Sequence, residues 1–167
     1  MTTYYVNADT GDNGDDGNIL NPWATLSYAL SNASGVTAGD EIQLRGTTFT
    51  EFVDVGISGT VGNPITITNY DGETPTLEGV AGTEGIVYIP AGRNYLSFDG
   101  DIYFSYGHAK PNGVSKFAWF DIFGSPSMAT TNIILNGLSF ERTGWNSGLA
   151  TLAASTGSLI SSETATR

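Results

Sequence analysis

Two stretches of this chain are near-copies of each other, and that internal repeat limits the fold more than any other feature. Leu96-Ser97-Phe98-Asp99-Gly100-Asp101-Ile102-Tyr103-Phe104 and Ile133-Ile134-Leu135-Asn136-Gly137-Leu138-Ser139-Phe140 share one plan. Each has alternating apolar residues, an Asp or Asn before Gly, and a second apolar pair; the second copy is one residue shorter. Alternation with a period of two marks a strand with one buried face. A Gly between two such runs turns the chain, and strand–bend–strand units fit a polygonal coil better than a hairpin. Earlier runs keep the same punctuation: Glu41 to Arg45, Ile65 to Tyr70, Thr76 to Glu78 and Gly85 to Ile89 are short and closed by Gly, Asp or Asn. Ile42 and Ile65 are 23 residues apart and Ile65 and Ile86 are 21 apart, close to one circumference of a solenoid built from short strands. A β-sandwich also spaces its strands regularly, so it stays as the alternative.

One segment departs from the strand pattern. In residues 21–33, Leu26, Ala29, Leu30 and Ala33 form an apolar stripe at helical spacing, with Trp23 one turn earlier. Asn21 suits the cap, Pro22 the first helical position and Gly35 the end. The expectation is an amphipathic helix over about 21–33 that covers the N-terminal mouth of the coil stack, with Trp23, Leu26 and Leu30 against the first coil.

Composition narrows the partners. At 167 residues the chain fits one core, and a net charge of -11 with 6 basic against 17 acidic residues argues against nucleic acid. Without cysteine there is neither disulfide nor thiolate chemistry. No apolar run approaches the roughly 18 residues of a membrane span, so no membrane insertion is expected. A strand-like run begins at Tyr4 with no leader before it, as in a processed secreted protein or a phage protein. The expected setting is extracellular, on a cell surface or on a phage particle.

Candidate sites fall in two places. Residues 9–18 hold Asp9, Asp12, Asp15 and Asp16 among three glycines, and carboxylate oxygens on a tightly turning backbone suit Ca2+. Asp9, Asp12 and Asp15 are the metal candidates; a solvated turn using Asp and Gly for their backbone preferences is the alternative. An insertion loop over about 105–116 separates the two repeats and holds His108 and both lysines, Lys110 and Lys116. Insertions on solenoids map to loops, often on the working face. Tyr103, Tyr106 and Trp145 lie in or beside turns, where an aromatic ring can stack on a sugar. With His108 and Lys110 they make up the substrate-binding candidates. Trp119 and Phe120 fit the core, and Arg45 and Arg142, each ending a strand, can face a substrate carboxylate or pair with neighbouring acids. No nucleophile elbow, phosphate loop, zinc motif or dinucleotide fingerprint is present, so no catalytic residue is assigned.

The order of segments also carries a resemblance. Tyr4-Tyr5-Val6, the Asp-rich Gly11 to Gly17, Asn21-Pro22-Trp23-Ala24-Thr25-Leu26, Gly39-Asp40-Glu41-Ile42-Gln43-Leu44-Arg45-Gly46 and Asn63-Pro64-Ile65-Thr66-Ile67-Thr68-Asn69-Tyr70 follow one another. This resembles the N-terminal part of right-handed parallel β-helix proteins of the pectate-lyase-like superfamily. It is similar in particular to polysaccharide lyases of the chondroitinase B and alginate lyase kind. The likeness covers Tyr4 to Gly79 and extends more loosely to Phe140. It implies β-elimination on a uronic-acid polymer, in which a base removes the C5 proton and a cation neutralises the carboxylate. The matching part is the cap and first coils, so no such residue maps to a position here.

The fold expectation is all-β: a short right-handed parallel β-helix of about four coils with an N-terminal amphipathic capping helix. Residues 1–146 form the helix and 147–167, poor in large anchors, a weakly structured tail or partial coil. The uncapped C-terminal end is where a protein partner or self-association is expected, since open strand edges invite pairing. The functional expectation is a polysaccharide-associated scaffold or binding module. A truncated lyase and a purely structural surface or viral module are the alternatives.

Overall fold

The computed structural model describes residues 1–83, 85–106, 118–125 and 127–142. The elements in chain order are β1 (Thr3–Asn7), α1 (Leu26–Ala29), β2 (Glu41–Arg45), β3 (Thr48–Thr50), β4 (Val53–Asp54), β5 (Ile65–Asn69), β6 (Thr76–Glu78), β7 (Gly85–Ile89), β8 (Leu96–Asp99), β9 (Tyr103–Tyr106), β10 (Ala118–Ile122), β11 (Ile133–Asn136) and β12 (Ser139–Arg142). They form three sheets: β1-β2-β5-β8-β11, β12-β9-β6-β3 and β10-β7-β4. Every strand pair is parallel. The chain visits the first sheet, the second and the third, then returns to the first one rung higher. This is a short right-handed parallel β-helix with an N-terminal capping helix, and the sandwich alternative falls.

Like side chains stack along the axis because parallel register places the inward residue of each coil over that of the coil before. In the first sheet Ile42 pairs with Ile67, Ile67 with Phe98 and Phe98 with Leu135. The second sheet aligns Phe49, Leu77, Phe104 and Phe140, and the third Val53, Val87 and Phe120. The sheets meet at three phenylalanines, Phe120 lying 5.0 Å from both Phe98 and Phe104 between ring centroids. Phe98 and Phe104 are among the largest fully buried side chains, and edge-on or tilted ring contacts of this kind add to the hydrophobic term.

The repeat seen in the sequence is the register of the third and fourth coils: Leu96 pairs with Ile133 and Phe104 with Phe140. Gly100 and Gly137 make the bend between the halves with φ of +112° and +71°. A Cβ on Gly100 would lie 2.3 Å from Asn69 Oδ1 of the coil below. The spacing of Ile42, Ile65 and Ile86 has a different meaning from the one expected. Ile65 pairs with Leu96, and Ile86 belongs to the third sheet. From β2 onward each coil is longer than the one before, as the pairs Glu41 with Thr66, Ile65 with Leu96 and Leu96 with Ile133 show, so no fixed period runs through the chain.

The capping helix is much shorter than residues 21–33. Only Leu26–Ala29 is helical, and Thr25, not Asn21, is the N-cap, its side chain accepting from the Tyr28 N–H. The reason is the edge of β1. Trp23 N–H donates to Tyr5 O and Asn7 N–H to Trp23 O, at 3.0 and 2.8 Å, so Trp23 forms a parallel bridge with Val6 instead of a helical turn. Asn13 Oδ1 accepts from the N–H groups of Ala24 and Thr25 and holds this extended run in place. Trp23, Leu26 and Leu30 are nonetheless buried in the core, as a cap requires. Ser105 and Tyr106 complete β9 instead of opening a loop, the rest of the expected insertion lies outside the described residues, and so does the tail at 147–167.

Candidate functional site

The third sheet turns chemically useful side chains outward. Val53, Val87 and Phe120 point inward, so the alternating residues Asp54, Tyr88 and Asp121 face out at one shared register. Phe52, two residues before Asp54, and Phe123, two residues after Asp121, flank this row from opposite ends. The result is a cross centred on Tyr88: a carboxylate row along the axis and an aromatic diagonal. Phe52 and Tyr88 are stacked with centroids 6.2 Å apart and an angle of 24°. Tyr88 and Phe123 meet edge to face at 5.4 Å. These groups and Thr83 line a cavity of about 420 Å³.

Exposure separates this diagonal from an ordinary core contact. Phe52 and Phe123 remain 38% and 37% exposed, while Phe120, three residues before Phe123, is 4% exposed. Asp54 is exposed and Tyr88 half-buried. Asp54 and Asp121 lie two strand spacings apart in the backbone, about 10 Å. Thr83 Oγ1 lies within hydrogen-bond distance of the Val80 and Gly85 carbonyls, at 2.8 and 2.9 Å. The surface thus offers partly exposed aromatic rings, two carboxylates and one phenol. That combination suits a ligand that is apolar on one face and rich in hydroxyls at its edge.

The residues expected from sequence do not meet here. Tyr103 is on the second sheet, beside Thr76 and Ser139, and its hydroxyl donates to the Glu141 carboxylate. Tyr106 ends β9 and is described by its backbone, whereas His108, Lys110 and Trp145 lie outside the described residues. Phe120 is core as expected, and Trp119 packs against Phe140 at 5.3 Å. Arg45 lies over the Tyr70 ring at 4.4 Å and donates to Ile19 O, so in this structure it is tied to its own corner of the fold.

The acidic segment at 9–18 folds back over the edge of β1. Asp9 accepts from Thr47 N and Oγ1, Asp12 accepts from Gly14 N at 2.8 Å, and the Asp15 carbonyl accepts from the Trp23 indole at 2.9 Å. The side chains of Asp9 and Asp12 and the main chain of Asp15 therefore each make a local contact. Among the described residues no group of three His, Asp or Glu side chains is placed to hold a metal ion. Among the described residues, the two carboxyls with a shifted affinity for protons, Asp40 and Glu51, are not in the cavity lining: Glu51 accepts from the first turn of α1 and Asp40 from Thr2 and Thr37.

The third-sheet site escaped sequence reading because it depends on register. Phe52-Val53-Asp54, Val87-Tyr88-Ile89 and Phe120-Asp121-Ile122-Phe123 each alternate in and out. Nothing local aligns Val53 with Val87 and Phe120 across coils of unequal length.

No family model matches the chain. A protein of Bacillus subtilis (strain 168), described as uncharacterized protein YwoF, is 34% identical over 76 residues, which is 46% of this chain and 16% of that protein. Among solved structures, the GH136 lacto-N-biosidase from Eubacterium ramulus superposes on 83% of this chain in its selenomethionine form. The TM-score is 0.62, the identity 19%, and 27% of that chain is covered. Its native form gives a TM-score of 0.55 at 17% identity over 84% of this chain and 34% of that one. The chain thus spans about a third or less of the length of each relative, and the structural likeness shows a shared fold alone.

Proposed function

We propose that this chain is a polysaccharide-associated β-helix module that binds a glycan on the outer face of its third sheet, in an extracellular, cell-surface or phage setting. The observation that carries the reading is the partly exposed Phe52–Tyr88–Phe123 diagonal crossed by Asp54 and Asp121. Sugar rings present C–H faces that lie on aromatic rings and hydroxyls that donate to carboxylates, which are the two kinds of group this surface offers. The fold shared with a protein named as a lacto-N-biosidase supports a carbohydrate partner. Among the described residues no helix is long and apolar enough to cross a membrane.

Affinity electrophoresis through gels containing soluble polysaccharides tests the reading. Retardation of the wild-type chain by a glycan, lost in a Tyr88→Ala variant that is still folded at the assay temperature, is the expected result. Free migration through every glycan gel would leave the row as an outer structural ladder and overturn the proposal.

A further inference from the structure

The outer face of the first sheet carries a cation that the fold positions but does not neutralise. We propose that Arg45, with Tyr5 and Tyr70 beside it, is a second binding site, for the oxyanion of an acidic sugar: a carboxylate or a sulfate carried on a pyranose ring. It lies on a different sheet from the groove described above and does not depend on what that groove binds.

Strand alternation puts these residues together. Val6, Ile42, Leu44 and Ile67 are fully buried, so Tyr5 on β1, Gln43 and Arg45 on β2 and Thr68 on β5 lie on the outer face. Tyr5, Gln43 and Thr68 share one register, and Tyr70 follows one residue past the end of β5. The Arg45 guanidinium sits 4.4 Å from the centroid of the Tyr70 ring. Tyr5 meets that ring edge to face at 6.0 Å. All three side chains are half-buried, so each keeps part of its surface in solvent.

Charge then points to the ligand. A guanidinium is permanently charged and carries N–H donors on all three nitrogens. The protein gives Arg45 one acceptor, the Ile19 carbonyl 3.2 Å from Nη1, and buries Nε without a partner. Among the described residues no carboxylate pairs with it, although acidic residues outnumber basic ones 17 to 6. The carboxylates of this corner are committed to other donors: Asp9 to Thr47 N and Oγ1, Glu73 to Gly46 N at 2.7 Å, and Glu41 to Gln43 Nε2 at 2.5 Å. An external oxyanion supplies the charge-assisted acceptor that the corner lacks. Tyr70 and the Ile19 carbonyl hold the guanidinium in place beforehand, which lowers the entropy cost of binding. The rings select the carrier, since a bare anion uses the guanidinium alone, whereas a pyranose also lays its C–H face on a phenol ring. With a net charge of -11 the chain as a whole repels anions, so the attraction has to come from this local pairing.

The test is titration calorimetry in EDTA, which removes bridging cations, with galacturonate and sulfated galactose oligosaccharides as the two acidic probes. Sodium acetate and sodium sulfate serve as bare anions. The expected result is binding of at least one acidic oligosaccharide that weakens as salt rises, with a roughly tenfold or greater loss in Arg45→Gln. Arg45→Lys, which keeps the charge and loses the planar fork, should retain more affinity than Arg45→Gln. Amide shifts of the wild-type chain, which need no variant to fold, should respond to the bound sugar at Leu44, Arg45 and Tyr70. Which of the two acidic probes binds distinguishes the carboxylate from the sulfate. Displacement of the sugar by an equal concentration of acetate or sulfate would overturn the role of the rings. Binding unchanged in a folded Arg45→Gln variant, shifts confined to other faces, or no binding of either acidic probe would overturn the site and leave Arg45 as a brace for the segment at Ile19.

Discussion

Glu51, on the first coil, accepts hydrogen bonds from the backbone N–H groups of Leu26 and Ser27, its two carboxylate oxygens each 2.9 Å from one nitrogen. These are orphan donors of the first turn of α1, where a helix has no carbonyl of its own to offer. Thr25 Oγ1 takes the Tyr28 N–H, so the cap and the coil it covers share the work of closing one short helix. A single turn of helix is unstable alone, and its existence here depends on this clasp and on burial of Leu26 and Ala29.

Glu51→Ala should lower unfolding stability by roughly 1–2 kcal/mol, the range for losing an N-terminal cap or leaving buried donors unpaired. The measurement is the urea midpoint, with the slope unchanged. A midpoint equal to that of wild type would show that water replaces the carboxylate at no cost.

Two carboxyls near the cap give opposite pH signatures. Burial pushes the Glu51 carboxyl up, and the N–H groups of Ser27 and Leu26 only partly offset it. Its folded-state affinity for protons is raised, so its contribution is greatest below the ordinary Glu range and is lost as pH rises through the raised value. Burial also raises Asp40, but hydrogen bonds from Thr2 N and from Thr37 N and Oγ1 outweigh it and bring the carboxyl below its ordinary value. Asp40 therefore stabilises the fold above the ordinary Asp range and loses that effect as pH falls through the lowered value. Comparing each variant with wild type across the acid range, Asp40→Ala should cost most near neutrality and least at the acid end. Glu51→Gln should do the reverse, and parallel pH curves for wild type and both variants would refute the assignment.

The fold was legible because stacking leaves its mark in sequence at Leu96–Phe104 and Ile133–Phe140, where two coils repeat the same inward residues around Gly100 and Gly137. The cap was legible in its burial and wrong in its length. Apolar spacing reports which side chains of Trp23, Leu26 and Leu30 face the core, but not that the Trp23 backbone completes the ladder of β1. The binding surface was not legible, because Asp54, Tyr88 and Asp121 become neighbours only through parallel register between coils of unequal length. Loop composition drew attention to His108 and Lys110, while the outer face of the third sheet is written as single residues between core positions.

Gly17 lies beneath Trp23 with φ of +73°, and a Cβ there would stand 2.5 Å from the indole Cε2. Its carbonyl accepts from Tyr5 N and its N–H donates to Asn21 O, so the acidic segment has little room to shift. Both the left-handed backbone and the ring contact penalise a side chain. Gly17→Ala should lower stability by at least about 1 kcal/mol and change the near-UV signal of the stacked pair Tyr4 and Trp23, whose centroids are 4.9 Å apart. A wild-type spectrum and midpoint would show that the loop does not need this approach.

Asp54 offers a way to change the charge of the groove without disturbing the core. Its side chain is exposed at the first-coil end of the carboxylate row, while Val53 beside it is fully buried. Asp54→Lys should leave the unfolding midpoint within the roughly 0.5 kcal/mol expected of a surface change. It replaces an acceptor of sugar hydroxyls with a cation, so affinity for a neutral glycan should fall several-fold. Exposed charge pairs contribute roughly 0.2–1 kcal/mol, which predicts a small gain in binding to alginate or polygalacturonate that disappears with added salt as screening sets in. A gain in uronate binding that persists at high salt would arise from contacts other than charge. A neutral affinity unaffected by the new lysine would place the glycan away from Asp54.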